Sequence, residues 1–288
     1  MPVTVYTRDE DAGTRDVFEE VIMAPHNAAF APNAITVSGN QRMSERVTAD
    51  PGAIGYVSIA NLGTAKQVNL ITTCGIQVSG TEFAAKTEEY PVERRLSLFS
   101  EQGPLNPVAQ DLLEYAASPK ADPLVQQAGF VDLGVTLRQI GDGTANFNFQ
   151  EYADVPSSYP YMTNLINTLA RAERLSTTFR FETGSASLDS KAKRDIGRVI
   201  AFLSKPENID RKVIFAGYTD SIGGFTRNGE LSNERAAAAL AEVLQHPLAK
   251  GLNRSRFKAV GFSELSPVAC NDTADGQRRN RRVELWLN

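Results

Sequence analysis

Apolar and polar positions follow two distinct periods in the last third of the chain. Residues 178–181 alternate between polar and apolar, which is typical of a half-buried strand. Residues 188–203 place apolar side chains every three or four positions, which is typical of an amphipathic helix. The same periods predict the order βαβαββ and a compact two-layer α/β sandwich over residues 176–288. The remaining predicted elements are strands at 212–218, 257–262 and 283–287 and a helix at 228–244.

Shorter periodic segments follow one another through residues 1–135. They predict an α/β module, because strand-like and helix-like stretches alternate. The predicted strands lie at 3–6, 53–59, 67–72 and 95–99, and the predicted helices at 14–22, 108–117 and 123–128. Residues 136–175 then form a linker with a connecting helix: turn signals at 141–144 and 155–158 interrupt a polar stretch, and 161–174 has an amphipathic pattern.

Length and composition agree with a globular protein of two domains. The chain has 288 residues, 42% of them hydrophobic and 22% charged. No apolar run approaches the roughly 20 residues that span a bilayer. The segment Met1–Tyr6 has neither the basic nor the apolar stretch of a signal peptide, so we expect a cytoplasmic protein or one whose leader is not in this sequence.

Charge is divided unevenly between the two halves. Residues 1–135 hold 9 Lys and Arg against 17 Asp and Glu, whereas residues 136–288 hold 21 against 17. The second half is too weakly basic to indicate a nucleic-acid partner. Its cluster Arg278–Arg282 is more typical of a solvated or ion-paired surface.

The residue types needed for catalysis or metal binding are not grouped in this sequence. The two cysteines, Cys74 and Cys270, and the two histidines, His26 and His246, are scattered, so a zinc site is not expected. No Ser/His/Asp set and no GxxxxGK phosphate loop occurs. We expect no catalytic residue, metal or cofactor. The cysteines are either two buried thiols or a disulfide between the halves.

One pair of opposite charges points to a binding function. Asp220 follows an apolar strand, and Arg235 comes fifteen residues later in a predicted helix. A carboxylate accepts charge-assisted hydrogen bonds from an ammonium group, and a guanidinium binds a carboxylate in bidentate fashion. The pair therefore suits a small zwitterion. The alternative is a mutual surface salt bridge of little energetic value.

Several motifs around this pair occur in a recognisable order. They are Phe181–Ala186, Gly217–Ser221 with Gly223, Asn228, Leu231–Ser232, Arg235–Ala236, Gly261–Glu264 and Asn280–Glu284. This pattern resembles the OmpA-like peptidoglycan-binding domain and covers about residues 176–288. The resemblance implies that the partner is the diaminopimelate residue of the peptidoglycan stem peptide.

The resemblance also assigns ligand-binding residues. It places Asp220 and Arg235 at the ligand, with backbone N–H groups of the helix start assisting Arg235. Asn228 is predicted to be the helix N-cap, although in the family it lines the pocket. Arg282 either contacts ligand or neutralises Asp220. The full predicted peptidoglycan-binding set is Asp220, Arg235, Thr219, Asn228, Leu231 and Arg282.

The first 135 residues resemble part of a phosphate-type periplasmic solute-binding protein. The motifs are Arg8–Phe18, Pro51–Tyr56, Tyr90–Leu96 and the stretch 112–131. The resemblance implies anion binding by Arg8, Gly13 and Thr14, because a glycine turn before a helix offers backbone N–H groups. Ala12 replaces the family's Ser, and Asp9, Glu10 and Asp11 oppose an anion.

This second resemblance begins partway through the sequence pattern of the solute-binding family. Strands that would form most of the first lobe are absent, so the module is incomplete. Either the chain is a fragment that lacks an N-terminal lobe, which we favour, or it is a reduced module that has lost its ligand site. A truncated lobe is expected to expose a sheet edge and apolar surface.

Together, these patterns predict a non-enzymatic protein of the cell envelope. Its C-terminal domain would bind peptidoglycan in the periplasm of a Gram-negative bacterium, near the outer membrane, while the N-terminal module resembles a solute-binding protein. The alternative is a periplasmic phosphate or anion receptor of an ABC-type uptake or sensing system that is tethered to the cell wall. No nucleic-acid partner and no transmembrane segment is expected.

Overall fold

The computed structural model describes residues 2–100, 103–138, 154–181 and 187–288. The predicted turn at 141–144 and most of the 181–186 motif lie outside these ranges. The chain divides into two compact units. The first contains residues 1–70, 79–85 and 90–133, and the second contains 71–78, 86–89 and 134–288. Across the described ranges, no helix has the length and apolar character needed to cross a membrane.

The first unit is built on a small parallel sheet with the strand order β2-β1-β3. Its strands are β1 (Thr4–Arg8), β2 (Ile35–Val37) and β3 (Ala53–Ile54). The helices of this part of the chain are α1 (Gly13–Phe18), α2 (Asn40–Ala49), α3 (Glu82–Lys86), α4 (Pro107–Ala117) and α5 (Asp122–Gln127). A hairpin of β4 (Leu70–Ile71) and β5 (Gln77–Val78) follows in the sequence and, apart from Leu70, belongs to the second unit. The predicted helices at 108–117 and 123–128 are therefore confirmed nearly to the residue.

Little apolar surface is buried in the first unit. Its core cluster consists of Tyr6, Val37 and Met43, with three partly buried residues around them. The predicted strand at 95–99 is wrong: its alternating apolar side chains remain exposed, and Phe99 has 92% of its surface accessible. A strand needs a neighbouring strand to satisfy its backbone groups, and the alternation alone does not supply one.

The second unit contains a four-stranded mixed sheet with the order β6-β9-β7-β8. Only β7 and β8 run parallel. The strands are β6 (Glu173–Arg180), β7 (Val213–Tyr218), β8 (Phe257–Gly261) and β9 (Arg282–Leu287). The helices are α6 (Tyr159–Leu169), α7 (Ser190–Leu203), α8 (Phe225–Gln245) and α9 (Ala274–Asn280). The predicted order βαβαββ holds, with the short helix α9 added before the last strand.

Both faces of this sheet are covered, so the predicted two layers become three. Phe215 packs with α7 and α8 on one face. The neighbouring residues Ile214 and Ala216 point the other way and pack with Leu165 and Leu169 of α6. Because side chains alternate along a strand, β7 contributes to both cores and is fully buried. The sequence left open whether the helix at 161–174 packs on one of the modules or joins them; the structure packs α6 on this sheet as the third layer.

Two glycines bring α8 close to the sheet. Gly217 and Gly261 are register partners at the ends of β7 and β8. A Cβ atom on Gly217 would clash with the carbonyl oxygen of Ser232, and one on Gly261 would clash with the Ser232 hydroxyl. The missing side chains therefore let the α8 backbone lie directly on the strand ends, which places Arg235, one turn beyond Ser232, beside the loop that follows β7.

Candidate functional site

Asp220 lies in the loop that leaves the carboxyl end of β7. Its Oδ1 accepts a hydrogen bond from the main-chain N–H of Ile222 at 3.0 Å. Its Oδ2 lies 2.7 Å from Nη1 of Arg281. With 7% of its surface accessible, Asp220 is nearly buried, and these two contacts fix the direction of its carboxylate.

Arg235 lies in the third turn of α8 and is half-buried. Among the described residues, its buried Nε and Nη1 groups have no hydrogen-bond partner. Its guanidinium carbon lies 5.7 Å from the centre of the Phe181 ring. Burial, followed by the positive charge of Arg281, lowers the pKa of Arg235, and the negative charge of Asp220 opposes this shift. The site thus contains a cation with unused donors, which costs free energy unless a ligand satisfies them.

Two details of the sequence interpretation are wrong. Asp220 pairs with Arg281 and forms no salt bridge with Arg235, so the mutual-pair alternative does not apply to these described residues. The helix begins at Phe225, ten positions before Arg235. Free backbone N–H groups occur only in the first turn of a helix, and Arg235 lies beyond that turn, so they cannot assist it.

The other predicted site residues surround this loop. Thr219 is buried, and its Oγ1 has no partner among the described residues. The Nδ2 of Asn228 donates to the carbonyl oxygen of Asp220 at 3.3 Å and also to the Glu264 carboxylate. The N-cap of α8 is Gly224, so the prediction that Asn228 caps the helix is wrong. Leu231 is half-buried on the same helix.

Arg282 has a different environment from the one expected. Only 1% of its surface is accessible, and its guanidinium stacks 4.1 Å from the Tyr218 ring centre. Its Nε donates to Oε1 of Glu284 at 2.8 Å, and its Nη2 donates to the carbonyl oxygen of Ser266 at 2.8 Å. The neutralising partner of Asp220 is the neighbouring Arg281, so that alternative for Arg282 is wrong.

Three residues of the site were not identified as such from the sequence. Arg281 pairs with Asp220, and Asn271 accepts a hydrogen bond from the main-chain N–H of Ser221 at 3.3 Å. Asn280, fully buried, donates to Oδ1 of Asn271 at 2.9 Å. The OmpA-like pattern contained a signal for all three, since it includes Asn271 and the motif Asn280–Glu284, although the arginine cluster was interpreted as an ion-paired or solvated surface.

The predicted anion site in the first unit is already partly occupied by the protein's own groups. Arg8 is buried and donates to Asn40, and its Nη2 lies 3.5 Å from Oδ2 of Asp9. The hydrogen bond from Ser38 lowers the pKa of Asp9, which keeps that carboxylate charged. Gly13 and Thr14 begin a helix of six residues, and the Gly13 carbonyl accepts from Arg94 at 3.2 Å. The structure gives this turn no feature that distinguishes it from an ordinary helix start.

The charges around Asp220 define what the site of the second unit can bind. Asp220 is available to an ammonium and Arg235 to a carboxylate, while Arg281 already pairs with Asp220. Within the described ranges, no group of three or more His, Cys, Asp or Glu side chains is placed to hold a metal ion.

Comparison with known proteins covers this same region. Residues 180–281 match the model of the OmpA family. Over 108 residues the chain is 33% identical to the probable lipoprotein YiaD of Escherichia coli, covering 38% of this chain and 47% of the relative. Outer membrane protein A of Bordetella avium is 44% identical over 80 residues, which are 27% of this chain and 39% of the relative.

A third relative is the peptidoglycan-binding protein ArfA of Mycobacterium bovis. It is 35% identical over 79 residues, which are 27% of this chain and 23% of that protein. The chain thus spans less than half the length of each of these three relatives. The second unit of this chain contains an OmpA-like domain.

Proposed function

We propose that this protein binds peptidoglycan non-covalently through diaminopimelate, as a non-enzymatic component of the cell envelope. The observation that carries the proposal is the half-buried Arg235, whose Nε and Nη1 have no partner among the described residues and which lies beside the oriented carboxylate of Asp220. A diaminopimelate side chain ends in an ammonium and a carboxylate on one carbon, so it offers both complementary charges.

Each predicted residue has a role in this proposal. Asp220 accepts the ligand ammonium, Arg235 binds the ligand carboxylate, and the free hydroxyl of Thr219 supplies a further polar contact. Asn228 holds the Asp220 main chain in place, and Leu231 offers apolar contact to the ligand's methylene groups. Arg282, stacked under Tyr218, supports the strand end.

The relatives support the class of ligand and the compartment. One relative is named a peptidoglycan-binding protein and another an outer membrane protein. We therefore propose that this protein acts in the periplasm of a Gram-negative bacterium, where peptidoglycan is accessible. These names refer to peptidoglycan binding and to the outer membrane, which agrees with a proposed function that requires no catalysis.

Isothermal titration with a diaminopimelate-containing muropeptide tests the proposal. Asp220→Ala and Arg235→Ala should each cost about 2–5 kcal/mol of binding free energy, because each leaves a desolvated ligand charge unpaired. Arg227→Ala is the matched control, since Arg227 lies on the same helix with 66% of its side chain exposed. A muropeptide with lysine in place of diaminopimelate lacks the second carboxylate and should bind as weakly as the Arg235 variant. Unchanged affinity in both site variants would refute the assignment.

Anion binding by the first unit is the second candidate function. One observation favours it: the Nε of Arg8 is buried without a partner among the described residues. In this proposal Arg8, Gly13 and Thr14 bind phosphate, and the wall domain tethers a solute receptor of an ABC-type system. Titration with inorganic phosphate should then show binding that Arg8→Met removes; no heat change at millimolar phosphate would exclude it.

A further inference from the structure

Two segments from the first third of the chain belong to the second unit. They are Ile71–Val78 and Lys86–Glu89, here called the strap segments. Both contact residues 269–281, which comprise a loop and helix α9 and are here called the 269–281 segment. The covalent contact is a disulfide between Cys74 and Cys270, whose Cα atoms lie 5.7 Å apart.

Hydrogen bonds reinforce this attachment. The Oγ1 of Thr73 donates to Oδ2 of Asp272 at 3.2 Å, next to the disulfide. At the other end of the segment, Nη1 of Arg279 donates to the main-chain carbonyl oxygen of Glu88 at 2.8 Å. The strap segments therefore hold both ends of the 269–281 segment.

The same segment carries the two side chains that contact the Asp220 loop. Asn271 accepts from the main-chain N–H of Ser221, and Arg281 pairs with the Asp220 carboxylate. Asn280 connects these points, because its Nδ2 donates to Oδ1 of Asn271 at 2.9 Å and to the carbonyl oxygen of Ala269 at 2.7 Å. A continuous series of bonds thus runs from Cys74 to Asp220.

The conformation of Glu88 shows how firmly the second strap segment is held. Its backbone angle φ is 58°, in the left-handed region that residues other than glycine, asparagine and aspartate rarely adopt. Only 6% of its surface is accessible, and its carboxylate and carbonyl groups both accept from Arg180 at 3.2 Å. Such a conformation persists only when the surrounding contacts fix it.

We propose that the strap segments position Arg281 and Asn271 against the Asp220 loop and thereby set the affinity of the ligand site. This inference rests on the proposed function. Without the strap segments, ligand binding must order the 269–281 segment as well as the ligand. The conformational entropy lost in that ordering reduces the affinity. Cys74 and Cys270 are accordingly positioning residues for the site.

Titration of the full chain with the diaminopimelate muropeptide tests this inference. The Cys74→Ser/Cys270→Ser double variant should bind at least about 5-fold more weakly than wild type, the lower end of common coupling effects. Ser79→Ala is the control, because Ser79 bonds Asn69 at the base of the hairpin and leaves the disulfide in place. Its affinity should stay within about twofold of wild type. If the double variant does not fold, wild type reduced with dithiothreitol, which converts the disulfide to two thiols, replaces it.

Two further measurements separate positioning from plain stabilisation. Amide hydrogen exchange over residues 269–281 should be faster in the cysteine-free variant at a temperature where the domain remains folded. In an Arg281→Gln background, removing the disulfide should weaken binding by a smaller factor than it does in wild type, because one of the two contacts with the Asp220 loop is already lost. The inference would be overturned if muropeptide affinity and amide hydrogen exchange were the same with and without the disulfide. This holds even if wild type binds the muropeptide and Asp220→Ala does not. No binding by wild type would instead overturn the proposed function.

Discussion

The two units of this chain bury their apolar side chains to very different extents. The second unit has two core clusters, with twenty buried residues on one face of the sheet and nine on the other. The described residues of the first unit form one cluster, with three buried members. Large apolar side chains remain exposed there, among them Leu96, Phe99 and Val108, each with at least 69% of its surface accessible.

This difference shows that periodicity and burial are separate matters. Both units have amphipathic helices and strands, as their sequences predict, but among the described residues the second unit buries many more of its apolar side chains. Since apolar burial contributes roughly 25 cal/mol per Å², the second unit has the larger source of stability. The ligand site that we propose needs fixed charges, and its residues lie on the well-packed unit.

Replacing one phenylalanine by alanine in each unit should show the difference in burial most strongly. Phe215→Ala removes a fully buried ring from the larger core and should destabilise the second unit by about 3–5 kcal/mol. Phe99→Ala removes a ring with 92% of its surface accessible and should change stability by less than about 0.5 kcal/mol. The single tryptophan, Trp286, is buried in the second unit, so its fluorescence during urea unfolding follows that unit. Far-UV circular dichroism of the same samples also reports on the first unit and measures the effect of Phe99→Ala.

Equal effects of the two phenylalanine substitutions would contradict the burial difference. A large effect of Phe99→Ala in particular would mean that this ring is covered in solution. That result would identify residues 95–99 as part of an interface, as exposed apolar patches often are.

Helices were predictable in both units, whereas a predicted strand formed only where other strands pair with it. The strand predicted at 212–218 forms at Val213–Tyr218, because its apolar run is buried on both faces. The alternating residues 95–99 are described but form no strand, and their apolar side chains remain exposed. Local motifs predict Asp220 and Arg235 as site residues, whereas the pairing of Asp220 with Arg281, 61 positions away, depends on the fold. The sequence alone does not decide whether the two cysteines form a disulfide, for the same reason: they are 196 positions apart.

A smaller effect is expected from the glycine that brings α8 to the sheet. Gly217→Ala adds a methyl group against the carbonyl oxygen of Ser232 and should destabilise the second unit by about 1–3 kcal/mol. It should also displace Arg235 and weaken muropeptide binding. Gly224→Ala is the matched control, because no atom lies within 4 Å of the added methyl group. Urea unfolding and titration of both variants measure the two effects, and equal behaviour of the pair would argue against close packing of α8.

The smallest expected effect concerns pH and compares one carboxylate from each unit. Glu89, in the second unit, is nearly buried; burial raises its pKa, but the charges of Arg174 and Arg282 outweigh this, and the net pKa is lowered. A lowered pKa means that the stability contributed by ionised Glu89 is complete above the unfolded-state value of about 4.3 and is lost as pH falls below it. Tryptophan-monitored stability should therefore be flat from pH 7 to 5 and decrease below about 4.3.

Glu89→Gln should be less stable than wild type at pH 7, and this difference should narrow as the pH falls below about 4.3, because the wild-type carboxylate is then protonated as well. Asp9 in the first unit also has a lowered pKa, through the hydrogen bond from Ser38, but a third of its side chain is exposed. Solvent screens an exposed carboxylate, so Asp9→Asn should change the acid dependence less than Glu89→Gln does. An equal or larger effect of Asp9→Asn would show that electrostatic stabilisation does not follow the burial difference between the two units.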